Sequence, residues 1–285
     1  MNGKEQAYER LVKAVQEDYR NRTIPETKGD KEPIYVHKCK HEGKRLNIWS
    51  YWQGSLEADI LVVGQDWGCF LSDEKNYKNA KLDAQMKQNF ESMDEGYDVL
   101  YFRGTEGMKI SDTDKNLTEY FRELGKGFED ITEKNSRLFF TNLCLGYRNR
   151  GFSEGFKRKW LTDDMKYFMS QENDDLFSPL LDIIKPDYVL CLGLEVYNAL
   201  RKGFKREILP GQSFYEQLDS GENWFEEPYK GEKIKVFGLA HPGNMGTANR
   251  YTKCTKNKEG KNGKDLQKED WNNVAEIINS QSKNN

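Results

Sequence analysis

Long apolar runs are absent from this sequence. Its 285 residues contain no stretch of about 18 consecutive apolar side chains, the length that crosses a bilayer. The opening MNGKEQAYERL is charged and lacks the apolar segment of a secretory signal. We therefore expect a cytoplasmic protein that does not associate with membranes.

Paired cysteines are also absent. The chain has five cysteines, and no two of them form a C-x-x-C pair. They are Cys39, Cys69, Cys144, Cys191 and Cys254. An odd number of scattered thiols in a chain without an export signal predicts reduced side chains rather than a disulfide framework.

One short segment carries alternating metal-ligand types. His37, Cys39 and His41 would all lie on one face of a strand. A zinc site is one interpretation of this alternation. An ordinary surface strand is the other, and we favour it because no fourth ligand is evident. We expect no metal site and no cofactor.

A strong excess of basic residues is missing as well. The formal net charge is -3, whereas a dedicated nucleic-acid-binding domain is usually strongly basic. A local basic face would still be enough to contact phosphates. Aromatic residues, by contrast, are abundant: 15 Tyr, 15 Phe and 6 Trp. A disordered chain would lack them, so the composition predicts a folded core.

Four short apolar runs predict strands. They occupy residues 58–64, 138–143, 187–193 and 234–240. At least three have continuous apolar centres, which is typical of strands covered on both faces. Helical periodicity is found at 4–19, 116–126, 163–184, 195–202 and 265–278. Alternating strands and helices predict an α/β fold, a three-layer α/β/α sandwich around a central, mainly parallel four-stranded sheet.

The same pattern predicts a single domain over residues 1–285, and we expect a monomer. Its core covers about residues 59–250, after an N-terminal helical or accessory segment at 1–58. A C-terminal helix and tail occupy 264–285. The segment 204–231 contains glycines and charges and is interpreted as an excursion before the last strand.

Polar side chains follow three of the predicted strands. Asp66 comes after the first strand, Asn142 ends the second, and His241 follows the fourth. Each residue alone is adequately explained by a turn or a cap. Parallel strands end at one edge, where ligands of such sheets bind, so we expect a carboxylate, an amide and an imidazole to converge there.

These motifs resemble the uracil-DNA glycosylase superfamily. Gly64-Gln65-Asp66 is similar to its water-activating GQD motif, and the segment 141–148 is similar to the strand that carries its base-reading Asn. Residues 184–193 resemble its strand ending in Leu-Gly, and His241-Pro242 resembles its HPS motif. The order and approximate spacing agree over about residues 59–250. The resemblance implies a monofunctional DNA glycosylase that flips a pyrimidine out of DNA and hydrolyses its N-glycosidic bond.

The resemblance also implies roles for individual residues. Asp66 would position water and favour the cation-like sugar, while His241 would stabilise the leaving base. The residues implied to contact the base are Gly64, Gln65, Trp67, Gly68, Phe70 and Asn142. The residues implied to contact DNA are Arg148, Gly243, Asn244, Met245 and Arg250. Met245 would fill the gap left by the flipped nucleotide; packing onto its own domain is the alternative.

Two departures from the family pattern bear on the substrate. Gly68 stands where the uracil-specific branch has a Tyr that excludes thymine, so the pocket is predicted to admit uracil or a 5-modified pyrimidine. Trp67 would defeat this if it refilled the space. Gly243 replaces the Ser of HPS and removes one hydroxyl donor to DNA. The biological role stays open, and repair of deaminated cytosine and attack on foreign DNA with modified bases are two interpretations.

Two other functions remain open. One is a catalytically inactive nucleic-acid- or base-binding module on the same fold, which the joint presence of Asp66, Asn142 and His241 disfavours. The other is a nucleoside or nucleotide hydrolase, which would not need the Met245 loop.

Overall fold

The computed structural model describes seven segments of the chain. They are residues 3–21, 54–65, 112–125, 136–143, 177–206, 211–256 and 258–281. These residues fall into two compact units. Unit 1 includes 3–21, 141–143 and 177–183, and unit 2 includes 54–65, 112–125, 136–140, 184–206, 211–256 and 258–281.

The described segments form seven helices and five strands. The helices are α1 (Gly3–Asn21), α2 (Asp112–Glu123), α3 (Phe177–Ile184), α4 (Leu194–Gly203), α5 (Phe214–Ser220), α6 (Asn244–Thr252) and α7 (Gly263–Gln281). The strands are β1 (Ile60–Gly64), β2 (Leu138–Asn142), β3 (Tyr188–Leu192), β4 (Trp224–Tyr229) and β5 (Glu232–Leu239). None of the helices in these segments has the length and apolar character that a membrane span requires.

The strands form one sheet in the order β2-β1-β3-β5-β4. β1, β3 and β5 run parallel, with Val62 opposite Leu190 and Leu190 opposite Phe237. All residues of β1, β2 and β3 are buried, as the continuous apolar runs predicted. The mainly parallel sheet and its helices confirm the predicted α/β sandwich.

The predicted number of strands was too low. The segment 204–231, interpreted as an excursion, contains helix α5 and strand β4, which pairs antiparallel with β5 at the edge of the sheet. The hairpin turn lies at Lys230 and Gly231, where φ is 51° and 91°. Two positive φ angles give the turn a twist that matches its strands. Strand β4 was not predicted because its sequence lacks a strand pattern. It holds two adjacent glutamates and Pro228, and proline within a sheet is found mainly in edge strands.

Candidate functional site

His241 lies just past the end of the long parallel strand β5. The strand ends at Leu239, and helix α6 begins at Asn244, so Ala240 to Gly243 form a tight strand-to-helix connection, hereafter the His241 loop. Gly64 is the last residue of β1, and Gln65 follows it. Because β1 and β5 both run parallel to β3, Gln65 and His241 follow strand ends at the same edge of the sheet.

The imidazole of His241 has a defined hydrogen bond on one side. The amide of Gly243 donates to its Nδ1 over 3.0 Å. A nitrogen that accepts a hydrogen bond carries no proton, so the neutral ring is the tautomer with its proton on Nε2. An imidazolium would have to turn an N–H toward the Gly243 N–H and break this bond. In that tautomer Nε2 is the only N–H donor of the ring.

Neighbouring elements hold the backbone of the His241 loop. Asn116 of α2 donates from Nδ2 to the carbonyl oxygen of Pro242 over 2.6 Å. Gln267 of α7 donates to the carbonyl oxygen of His241 over 2.8 Å. A Cβ at Gly246 would lie 1.9 Å from the same oxygen, so only glycine permits this approach of α6. The loop is therefore fixed from three helices.

Local space explains why residue 243 is a glycine. Gly243 is buried, and a Cβ there would lie 2.8 Å from Thr113 Oγ1 and 3.0 Å from His241 Nδ1. Both separations are shorter than ordinary van der Waals contacts. A side chain at Gly243 would have to displace Thr113 or the imidazole of His241, so the glycine keeps α2 and the ring in place.

Asn244 and Met245 form the exposed start of α6. Met245 is 80% exposed. The structure therefore does not support packing of Met245 onto its own domain. Met245 lies four residues after His241 in the chain, and its role as a wedge stays a prediction.

Arg250 is buried, which disagrees with the predicted contact between its side chain and DNA. It is 1% exposed, and its guanidinium donates to both carboxylate oxygens of Asp270 over 2.7 and 2.9 Å. Its Nη1 donates to Asp219 over 2.7 Å. We therefore correct the sequence-based role of Arg250: it holds α5, α6 and α7 together from inside unit 2.

The sequence contained a signal for this buried pair that we missed. Leu266, Asp270, Val274 and Ile278 are spaced by four residues along α7, and all are buried. A carboxylate on the apolar stripe of a helix needs a buried partner cation, because burying it alone is costly. Asp270 thus indicated a buried partner of opposite charge.

The two carboxylates that bind Arg250 differ in their ionisation. Burial acts to raise the pKa of Asp219, but hydrogen bonds from Thr255 and Arg250 outweigh it and hold the pKa at about 2. Burial raises the pKa of Asp270 to about 6, against the hydrogen bonds and charge of Arg250. Asp219 is therefore the carboxylate that stays ionised in moderate acid.

The lowered pKa of Asp219 predicts an acid-dependent loss of stability. Its ionised form stabilises the fold above the ordinary Asp pKa, and this contribution disappears as the pH falls through about 2. Urea unfolding of wild type and Asp219→Asn should differ most above pH ~4, and the difference should shrink by about 2 kcal/mol toward pH ~2. Glu276→Gln, at an exposed carboxylate on α7, is the control and should show no such trend. A pH-independent difference would contradict the assignment.

Asn142 is the buried last residue of β2. The other predicted residues, Asp66, Trp67, Gly68, Phe70 and Arg148, lie outside the described segments, as do His37, Cys39 and His41. The predicted convergence of Asp66, Asn142 and His241 therefore stays a prediction. Within the described segments, no group of three or more His, Cys, Asp or Glu side chains could hold a metal ion.

Comparison of the chain with models of known protein families and with curated proteins found no match.

Proposed function

We propose that this protein is a monofunctional DNA glycosylase that flips a pyrimidine, uracil or a 5-modified base, and hydrolyses its N-glycosidic bond. The observation that carries the proposal is the His241 ring, whose Nδ1 accepts the Gly243 amide. The base leaves as an anion, and a neutral imidazole can donate from Nε2 to the oxygen on which charge develops. A preorganised donor of this kind lowers the barrier because it acts on the transition state.

The remaining roles follow the family resemblance. Asp66 positions the attacking water and favours the cation-like sugar, and Asn142 reads the edge of the flipped base. Gln65, at the edge of the sheet that bears His241, contributes to the base pocket. DNA is the proposed partner.

Base release from oligonucleotides tests this proposal. Duplexes and single strands would carry uracil, a thymine mismatch or a 5-substituted pyrimidine, and alkaline cleavage would reveal abasic sites. Release of uracil would indicate an ordinary repair substrate. Release of 5-substituted bases alone would indicate that Gly68 opens the pocket. Binding without release of any base would contradict the proposal and favour the inactive binding module.

The exposed Met245 makes a separate prediction about duplex DNA. If its side chain fills the gap left by the flipped nucleotide, Met245→Ala should slow base release from duplexes by about tenfold, the equivalent of part of one base step's stacking energy. Release from single strands should stay within about twofold, because no helical gap has to be filled there.

Tyr251→Ala is the matched control for this prediction. Tyr251 is also an exposed apolar residue of α6, at 41%, but it lies at the end of the helix away from His241. Equal losses on duplexes and single strands with Met245→Ala, or the same loss with Tyr251→Ala, would count against the wedge.

A further inference from the structure

Gln267 is a second buried polar residue of α7, beside Asp270. The family resemblance gives it no role, and it does not contact Arg250 in the hydrogen bonds described above. Gln267 is 1% exposed. Its Nε2 donates to the carbonyl oxygens of His241 over 2.8 Å and Ala240 over 3.3 Å. Its Oε1 accepts from the hydroxyls of Tyr120 and Thr247, each over 2.8 Å. One amide therefore joins the His241 loop to α2 and α6.

Chemistry fixes the orientation of this amide. Carbonyl oxygens only accept hydrogen bonds, so the NH₂ group of Gln267 must face Ala240 and His241. The two hydroxyls then donate to Oε1. Both hydrogens of the NH₂ group and two acceptor positions of the oxygen are used. A flipped amide would lose both bonds to the carbonyls, because Oε1 cannot donate.

Tyr120 supplies one of the two hydroxyl donors to Oε1 of Gln267. Burial, followed by the negative charges of Glu119, Asp270 and Asp265, raises the pKa of Tyr120. Its hydroxyl therefore remains a donor. The ring stacks on Trp271 of α7 with centroids 5.7 Å apart, which fixes the direction of that donor.

The bond from Gln267 reaches the residue whose ring is proposed to act on the base. If it is removed, the carbonyls of Ala240 and His241 lose the hydrogen bonds from this amide, which weakens the hold on the peptide at residue 241. A turn of that peptide would carry the imidazole away from the Gly243 amide. We propose that Gln267 is a positioning residue that holds His241 in the conformation in which its ring accepts the Gly243 amide. The inference rests on the proposed function only where it concerns catalysis.

Exchange of the Gly243 amide hydrogen, followed by NMR, tests the positioning directly. Gln267→Met removes the donors at similar length. Gln267→Glu, measured at a pH at which its carboxyl is ionised, keeps an acceptor for Tyr120 and Thr247 but offers no donor to the carbonyls. Both variants should lower the protection of the Gly243 amide by about tenfold, as expected for one lost local hydrogen bond. Gln217→Met is the matched control, since Gln217 is buried at 3% but donates to Gln212 instead.

The same variants separate positioning from general loss of stability. With a releasable base as substrate, Gln267→Met and Gln267→Glu should lower kcat by about tenfold and leave KM within about twofold, because the imidazole acts only in the transition state. Gln217→Met should alter neither value at temperatures well below unfolding. Wild-type-like Gly243 protection in both Gln267 variants would overturn the inference. If the wild type releases no base, the proposed function fails, while the exchange result still decides whether Gln267 positions His241.

Discussion

Replacing His241 by alanine should slow base release by about 100- to 1,000-fold, the usual cost of removing one preorganised donor from a developing anion. DNA binding should change little, because a donor in the proposed role acts on charge that exists only in the transition state. The expectation rests on the bond from the Gly243 amide to Nδ1, which assigns the proton of the neutral ring to Nε2. Single-turnover base release and equilibrium binding would be measured on the same oligonucleotide.

Glu232→Ala is a suitable control for His241→Ala. Glu232 is an exposed residue at the first position of β5, the opposite end of the strand that leads to His241. Its loss should leave both rate and affinity unchanged. A His241→Ala enzyme that releases the base at the wild-type rate would remove His241 from the mechanism.

Replacing Arg250 by methionine should lower the free energy of unfolding by about 3–5 kcal/mol. The substitution leaves Asp219 and Asp270 buried without the cation that both contact, and breaking a buried pair on one side costs about this much. Urea denaturation at neutral pH would measure the effect. Lys264→Met, at an exposed position of α7, is the control and should cost less than about 0.5 kcal/mol.

A triple variant tests whether unpaired buried charge causes the loss of stability in Arg250→Met. Adding Asp219→Asn and Asp270→Asn to Arg250→Met removes the unpaired charges, so part of the lost stability should return. If Arg250→Met cost less than about 1 kcal/mol, the buried network would not hold the three helices as described.

The sequence predicted the strands that are buried on both faces of the sheet. Runs such as Ile60–Gly64 and Tyr188–Leu192 are continuously apolar because both faces of a central parallel strand are covered. An edge strand has no such requirement. Trp224–Tyr229 mixes aromatics, glutamates and a proline, and its position depends on pairing with β5, which no local pattern reveals.

For the candidate site, the sequence predicted only which residues follow the ends of the parallel strands. Topology alone places Gln65 and His241 at one edge, since parallel strands end together. The bond from Gly243 to Nδ1 depends on loop geometry, which local periodicity does not encode. Arg250 was assigned to DNA from its place after a motif, whereas its partners lie 20 and 31 residues away in the chain.

Base release by wild type and by Asp66→Asn, measured beside binding of the same oligonucleotide, tests the central claim most directly. The account predicts that the wild type produces abasic sites from uracil or a 5-modified pyrimidine. The variant should bind the same DNA with similar affinity but release the base at least about 100-fold more slowly, because the carboxylate acts on the cation-like transition state. Equal rates in the two proteins, or no release by the wild type from any of these substrates, would contradict the assignment as a DNA glycosylase.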